Sequence, residues 1–416
     1  MAAKFANGGG MSVLNYDPRY TGTDAGKSSI DYQSNSDQMQ AFKWIKKALV
    51  DTRKKEFFAQ LADPVQMPKH FGKKLKQYHY FPVLSDANIN DQGIDASGTQ
   101  TVNGNLYGSS RDITVISGAI PVVGENGGRV NRIGFSRGVI EGTFSKHGVF
   151  HEWSRESREF DSDEELAQHC TTELFNMAHQ LNEAMIQIDL LNGAQTVIYG
   201  GAATKNSEIT GDGDTPSELT YDMIMRLDEE LTENRTPEET TIITGTRLTD
   251  TKTVDSTRIL YCGKEVVRAL RKLKDNFGNA AFIGREKYAG GKQLLNGEVG
   301  AIGAFRVIQV PEMLHWSDGA EVAASGAGKS KYVTSGTKYN VYPLLCVGKG
   351  SFSTIGFQVG KGSGGKFRII TVNPGKEAAN REDPYGETGF TSMLWYYGIM
   401  IPRPERLGLL KVIAPR

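Results

Sequence analysis

A chain of 416 residues is long enough for two or three compact lobes, and its 38% hydrophobic content is that of an ordinary globular protein. Its 48 Lys and Arg are matched by 48 Asp and Glu, so net charge does not drive it onto nucleic acid, and only local basic patches can do so. No apolar run is long enough to span a bilayer, and the opening MAAKFANGGGMSVLNYDPRY has neither the charged start nor the apolar core of a secretory signal, so no membrane partner is expected.

Residues 1–36 are polar and rich in Gly and Ser. Such a segment cannot bury enough surface to order itself, and it reads as an arm to be held by a neighbouring subunit. Ser36 and Asp37 then offer N-caps to a helix whose Met39, Phe42, Ile45, Leu49, Phe57 and Leu61 share a face; Pro64 stops it. The period-two, aromatic-rich GKKLKQYHYFPVL predicts a strand. From Ser85 to about Gly134 comes a polar, loop-rich excursion with short strands such as DITVISGAIPVV, and the chain returns as the strand RGVIEGTFSKHGVFHEW. Two strands joined by so long a polar excursion describe a protruding β-arm.

Ser162 and Glu165 form a capping box for the strongest predicted helix, Asp163 to Leu191, which contains no Gly or Pro. Leu166, Leu174, Leu181 and Ile188 are expected to face a β-layer, with Gln187 on the polar side. After GDGDTPSE the order is a helix through Leu219, Met223, Leu227 and Leu231, the strand TRILYCG, and the helix KEVVRALRKL. Strand candidates AIGAFRVIQV, NVYPLLCVG, TIGFQV and KFRIITV follow, and the stretch from Thr391 to Pro415 is mostly β. The mixture is α+β, and the 48 glycines fit many turns around β-structure.

Chemistry-bearing patterns are few. Gly360 to Gly365 satisfies GxGxxG, but dinucleotide binding needs a helix N-terminus next, and the strand-like KFRIITV follows; the segment reads as a glycine-rich hairpin turn. Gly326-Ala-Gly328-Lys329-Ser330 lacks the leading glycine and the strand of a phosphate-binding loop, as does Gly26-Lys27-Ser28, and both read as loops. His147 and His151 lie on one face of a strand, too far apart for a single ion, and His169 and His179 share a helix without partners. Glu152 to Glu165 is acidic but interrupted by Arg155 and Arg158, and it ends at a helix N-terminus, where carboxylates belong. Cys170, Cys262 and Cys346 have no paired spacing and are expected to be reduced core thiols. The basic run from Lys43 to Lys76 reads as a solvated face, with packaged nucleic acid or an acidic neighbour as the functional version. No catalytic, cofactor-binding or metal-binding residue is predicted.

The element order resembles the Hong Kong 97-type capsid fold of tailed phages and encapsulins. QLLNGEVGAIGAFRVIQVPEM, Gln293 to Met313, is similar to a segment of the N-four-like podovirus major capsid family. LTYDMIMRLDEELTENRTP with RILYCGKEVVRALRKL resembles that family's helix, strand and helix in the axial domain, and NGAQTVIY, Asn192 to Tyr199, its segment after the spine helix. The resemblance implies an N-terminal arm at 1–36, a first helix at 37–66 and an extended β-arm region at 67–150. It further implies a peripheral domain with the spine helix at 151–215 and 375–416, and an axial domain at 216–374. The implied role is a non-enzymatic major capsid protein, without cofactors, that self-assembles as pentamers and hexamers into an icosahedral shell around double-stranded DNA. Portal, decoration or scaffolding proteins are implied partners, and the virion is the implied location after synthesis in the host bacterial cytoplasm. Two alternatives stand beside it. An encapsulin-type nanocompartment would share the fold, and a phosphate- or nucleotide-binding enzyme built on the Gly-rich loops would need a helix after Gly365 or Ser330.

Overall fold

The computed structural model describes residues 57–58, 61–67, 72–81, 112–119, 135–159, 166–243, 251–254, 257–287, 297–323, 328–357, 367–379, 381 and 383–416. In chain order these form β1 (Asp63–Met67), β2 (Lys74–Tyr80), α1 (Ile113–Ala119), β3 (Arg137–Ser154), α2 (Arg155–Glu159), α3 (Leu166–Gly193), β4 (Thr196–Tyr199) and α4 (Tyr221–Glu233). Next come β5 (Thr240–Ile243), β6 (Thr251–Val254), β7 (Arg258–Gly263), α5 (Lys264–Leu270), β8 (Ile283–Gly284), β9 (Glu298–Ile302) and β10 (Phe305–Val310). The chain ends with α6 (Gly328–Lys331), β11 (Thr334–Ser335), β12 (Lys338–Tyr339), β13 (Tyr342–Val347), β14 (Ser353–Phe357), β15 (Phe367–Val372), β16 (Thr388–Met400) and β17 (Leu407–Val412).

Two sheets organise these elements. The first runs β1-β14-β16-β3-β2, with β15 also paired to β16. Its frame is the long antiparallel pair β3–β16, in register from Ser154 opposite Thr388 to Thr143 opposite Ile399, and β2 extends β3 as a hairpin arm. The second runs β4-β17-β13-β7-β10-β9-β8. Its central strands RILYCG and YPLLCV are buried at every position because both faces are covered, and this is why they read as unbroken apolar runs. Leu260, Cys262, Leu344 and Cys346 meet α4 and α5 on one face. Ile259, Tyr261, Leu345 and Leu409 meet Phe58, Ile186 and Leu190 on the other.

Helix α3 joins the two bodies. At about 1.5 Å per residue its 28 residues span about 42 Å. Leu174 and Ala178 pack on Met393 and Trp395 of the first sheet, whereas Ile186, Leu190 and Leu191 pack on the second. Local chemistry fixes the shorter elements. Thr220 caps α4 by accepting from Met223 N, and Ser154 accepts from Ser157 N at the start of α2. The hairpin β9–β10 turns at Gly303, whose φ of 53° suits glycine. Arg258, wholly buried, anchors α4 to the sheet through the Asp228 carboxylate, Thr232 Oγ1 and Thr236 O.

Several expectations are corrected. Phe57 and Phe58 are not helical, and Asp63–Met67, with Pro64 inside it, is a strand parallel to β14; the expected helix over 37–66 does not reach that far. Here Pro64 sits in a short edge strand, where a missing N–H is tolerated. Ile113–Ala119, expected as a strand, is a helix, because Asp112 caps it by accepting from Thr114 N at 2.9 Å. The division expected from the resemblance cuts across the sheets. β14 and β15, within 216–374, belong to the first sheet, while β4 and β17, within 151–215 and 375–416, belong to the second.

The spine helix begins by Leu166, with the capping box at 162–165 outside the described residues. Its buried side is only in part the one expected: Leu174 is buried, but Leu181 and Ile188 are exposed at 41% and 47%, and Gln187 is buried. β14 and β15 both run antiparallel to β16, with Thr354 opposite Ile399 and Phe367 opposite Trp395. The segment between them, 358–366, where a glycine-rich hairpin turn was expected, lies outside the described residues. Gly328–Lys331 is a helical turn, where a loop was expected; it is four residues long.

Candidate assembly surfaces

No group of His, Cys, Asp and Glu suited to a metal ion occurs among the described residues. Cys262 and Cys346 are buried free thiols pushed up to about 12 by burial, which makes them inert core residues. Lys74 and Lys76 project from β2 and pair with Glu141 on β3 at 3.3 and 2.7 Å. These hydrogen bonds hold the Glu141 carboxyl below its ordinary range, and this end of the basic run is a solvated cross-strand cluster. The rest of that run, Lys43 to Lys55, lies outside the described residues, as do 1–36, most of 85–134, and Gly360 to Gly365. His147 hydrogen-bonds Ser145 and lies near the rings of Trp395 and Tyr397, His151 lies near Trp153, and neither pairs with the other.

Among the described residues, exposed apolar side chains are grouped in three places on the first body. On the sheet face opposite α3, strands β3, β15 and β16 form a groove of about 460 Å³ lined by Gly148, Phe150, Glu152, Arg368, Ile370, Phe390, Ser392 and Leu394. The alternation of β16 builds it. Thr391, Met393 and Trp395 point to the helix side and are buried, so Phe390, Ser392 and Leu394 face outward. Phe150 and Ile370 join them because both pair with Ser392. Phe150 is 58% exposed.

The second patch is the outer side of α3, where Met177, Leu181 and Ile188 form an exposed stripe. The third is the distal end of the β2–β3 hairpin. There Tyr78, Tyr80, Phe135 and Val139 are all at least half exposed, the Arg137 guanidinium sits 4.1 Å over the Tyr78 ring, and Tyr80 and Phe135 stack loosely at 6.4 Å. Apolar patches grouped on both faces and the tip of one body are what a subunit offers to other macromolecules. The sequence signals that locate them are the alternation of β3 and β16; the α3 stripe was legible as apolar but assigned to the wrong side.

No family model matches the chain. It is 49% identical over 377 residues to the major capsid protein of Pseudomonas phage KPP21, an alignment covering 91% of this chain and 93% of that protein. In structure it resembles the capsid of Ralstonia phage GP4, with a TM-score of 0.52 at 14% identity over 93% of this chain and 98% of that one. A weaker likeness, TM-score 0.49 at 10% identity, links it to the capsid of Helicobacter pylori bacteriophage KHP30 over 94% of this chain and 100% of that one. The chain belongs to the phage major capsid proteins: it has the Hong Kong 97-type fold and builds the capsid shell.

Proposed function

We propose that copies of this chain associate as pentamers and hexamers, close into an icosahedral shell, and enclose double-stranded DNA without reading its sequence. The observation that carries the reading is the set of uncovered apolar patches on the first body: the Phe150–Phe390 groove, the Met177–Leu181–Ile188 stripe and the aromatic hairpin end. A monomer in water would leave all three exposed, whereas a closed shell buries a patch on each subunit against the next and multiplies a modest contact by repetition. The polar segments 1–36 and about 85–134 are the arms expected to lie on neighbours. The second, doubly covered sheet forms the axial domain around which subunits gather, and the first sheet with α3 forms the peripheral domain.

The role is architectural and needs no catalytic group. Zero formal net charge fits a wall that meets DNA only through local basic patches, so any binding to free DNA should be weak and should fall steeply with salt. Portal and decoration or scaffolding proteins are the further partners this role requires, and the finished protein resides in the virion after synthesis in the bacterial host. An encapsulin-type compartment would share the architecture, but the phage origin of the relative favours DNA as the contents.

Electron microscopy of particles recovered from cells expressing the full-length chain, with nuclease-protected nucleic acid assayed on the phage head, tests the reading. Closed shells with five- and six-neighbour capsomers support it. Protein that stays monomeric at high concentration, or shells filled with a protein cargo, would refute it.

A further inference from the structure

The outer face of α5 and the turn after it carry charge that the fold does not use. Between Lys264 and Lys287 stand seven cations and three carboxylates, in a chain whose formal net charge is zero. Val266, Val267 and Leu270 of α5 are buried against the second sheet, which turns Lys264, Arg268, Arg271 and Lys272 outward on the opposite face. Lys274, Arg285 and Lys287 continue the exposed series beyond α5. Among the described residues, Arg271, Lys272, Lys274, Arg285 and Lys287 have no ion-pair partner. Cations at the end of α5 offset its dipole, which accounts for Arg268 and Arg271 and leaves the others unexplained.

The three carboxylates do not neutralise this face. Asp275 Oδ1 accepts from Phe277 N and Asn279 N at 2.9 and 2.8 Å. Glu265 comes within only 4.0 Å of Lys264, and Glu286 lies back against Gly284. The Asp275 bonds belong to a locked turn. Gly278 N donates to Asp275 O at 3.0 Å, Asp275 N to Asn279 O at 2.9 Å, and Ala281 N to Leu273 O at 3.1 Å. Gly278 supplies the φ of 83° that the reversal needs. At the tip Phe277 is 90% exposed. A ring held out on so well-bonded a turn loses little freedom when it binds something.

We propose that this face of the second body binds the phosphate backbone of double-stranded DNA, with Phe277 adding an apolar contact in the groove between the strands. The inference rests on the reading that the shell encloses DNA, and it assigns the contact to one surface. Long cations without carboxylate partners and without a shaped pocket fit a polyanion of evenly repeated charge: they neutralise phosphates and release counterions without reading bases. An exposed apolar side chain beside them is a common companion of such contacts. An acidic protein would need a larger apolar centre to its interface than Phe277 and Ile283 provide, and the grouped apolar surface of this chain lies on the first body.

Fluorescence anisotropy of a short labelled duplex, titrated with the full-length chain across a salt series, tests this. Binding should weaken as salt rises, and Arg271→Gln/Lys272→Gln/Lys274→Gln should reduce the slope of log affinity against log salt by about 3. Lys338→Gln/Lys376→Gln/Arg381→Gln removes the same charge from exposed positions elsewhere and should change the slope by less than about 1. Phe277→Ser should weaken binding at every salt concentration with the slope unchanged, and thermal melts verify that each variant is folded. The proposal is overturned by a patch variant with the wild-type slope, or by a wild-type chain that binds no duplex at low salt. It is overturned equally by polyglutamate that displaces the duplex when matched for charge, which would make the partner an acidic protein. Negative-stain microscopy of the same proteins keeps the two readings apart. A chain that closes shells while its patch variant keeps the wild-type slope fails this inference alone, and a chain that forms no shells fails the reading beneath it.

Discussion

Gln187 and Leu181 exchange the roles that their spacing suggests, and the reason is geometric. A strip of residues four apart advances around a helix by about 40° at each step, because four residues exceed one turn. The buried positions Leu174, Ala178, Asn182, Ile186 and Leu190 follow such a strip, so the contact surface winds around α3 as it leaves the first sheet for the second. The seven-residue series Leu174, Leu181, Ile188 would keep to one side, which no single partner in this chain provides. Gln187 falls inside the wound strip and donates through Nε2 to Met313 Sδ at 2.8 Å. Gln187→Glu should therefore destabilise the folded chain by about 3 kcal/mol, since a carboxylate would be forced into an apolar seam. Leu181→Asp should cost less than about 1 kcal/mol in the isolated subunit. Urea denaturation of the two variants decides between the buried strip and the heptad-like stripe: equal losses would mean that α3 does not wind from one sheet to the other.

At the scale of elements, α3 also fixes the point where the chain enters the body. Glu183 Oε1 accepts from the backbone N–H groups of Phe57 and Phe58, both at 2.6 Å, and Tyr261 donates its hydroxyl to Phe57 O at 2.9 Å. Two charge-assisted bonds to one carboxylate make Glu183 the clasp of this segment. Glu183→Ala should cost about 2 kcal/mol and speed proteolysis just before β1. Unchanged cleavage there would show that burial of the two Phe rings suffices. This clasp was invisible in the sequence, where Phe57 and Leu61 continue a helical period: a carboxylate 126 residues from the Phe57 N–H it accepts leaves no local trace. What was legible follows the same logic in reverse. The α4 face Met223, Leu227 and Leu231, the doubly buried RILYCG and YPLLCV, and the long alternation of β3 are all set by local period and burial. Sheet membership was not legible, because β14, β15, β16 and β17 follow one another in the chain, yet the first three join one sheet and β17 joins the other. The absence of a predicted catalytic site left the functional surface to be read from exposed apolar residues, which periodicity cannot separate from core.

For the whole molecule, shell formation should depend on surfaces that the folded monomer does not need. The groove residues Phe150 and Phe390 lie on the outer face of the first sheet and are 58% and 36% exposed, so neither carries much of the internal packing. The side chains beneath them, Met393 and Trp395, are buried against α3 and do carry it. Replacing both outer rings with Glu would place two charges in the groove near Glu152, so that an apolar partner would have to desolvate like charges crowded together. Stability of the isolated chain should stay within about 1 kcal/mol, because surface substitutions away from packed or paired groups rarely do more. Assembly should fail, because a loss of even about 1.4 kcal/mol at each contact weakens that contact tenfold and the effect repeats around the shell. Sedimentation velocity and negative-stain microscopy of Phe150→Glu/Phe390→Glu, beside thermal melts, separate the two effects. Expected are slow-sedimenting capsomers or monomers with a normal melt. Shells formed at wild-type yield would mean that the outer groove faces solvent in the capsid, leaving the α3 stripe and the hairpin end as the surfaces that join one subunit to the next.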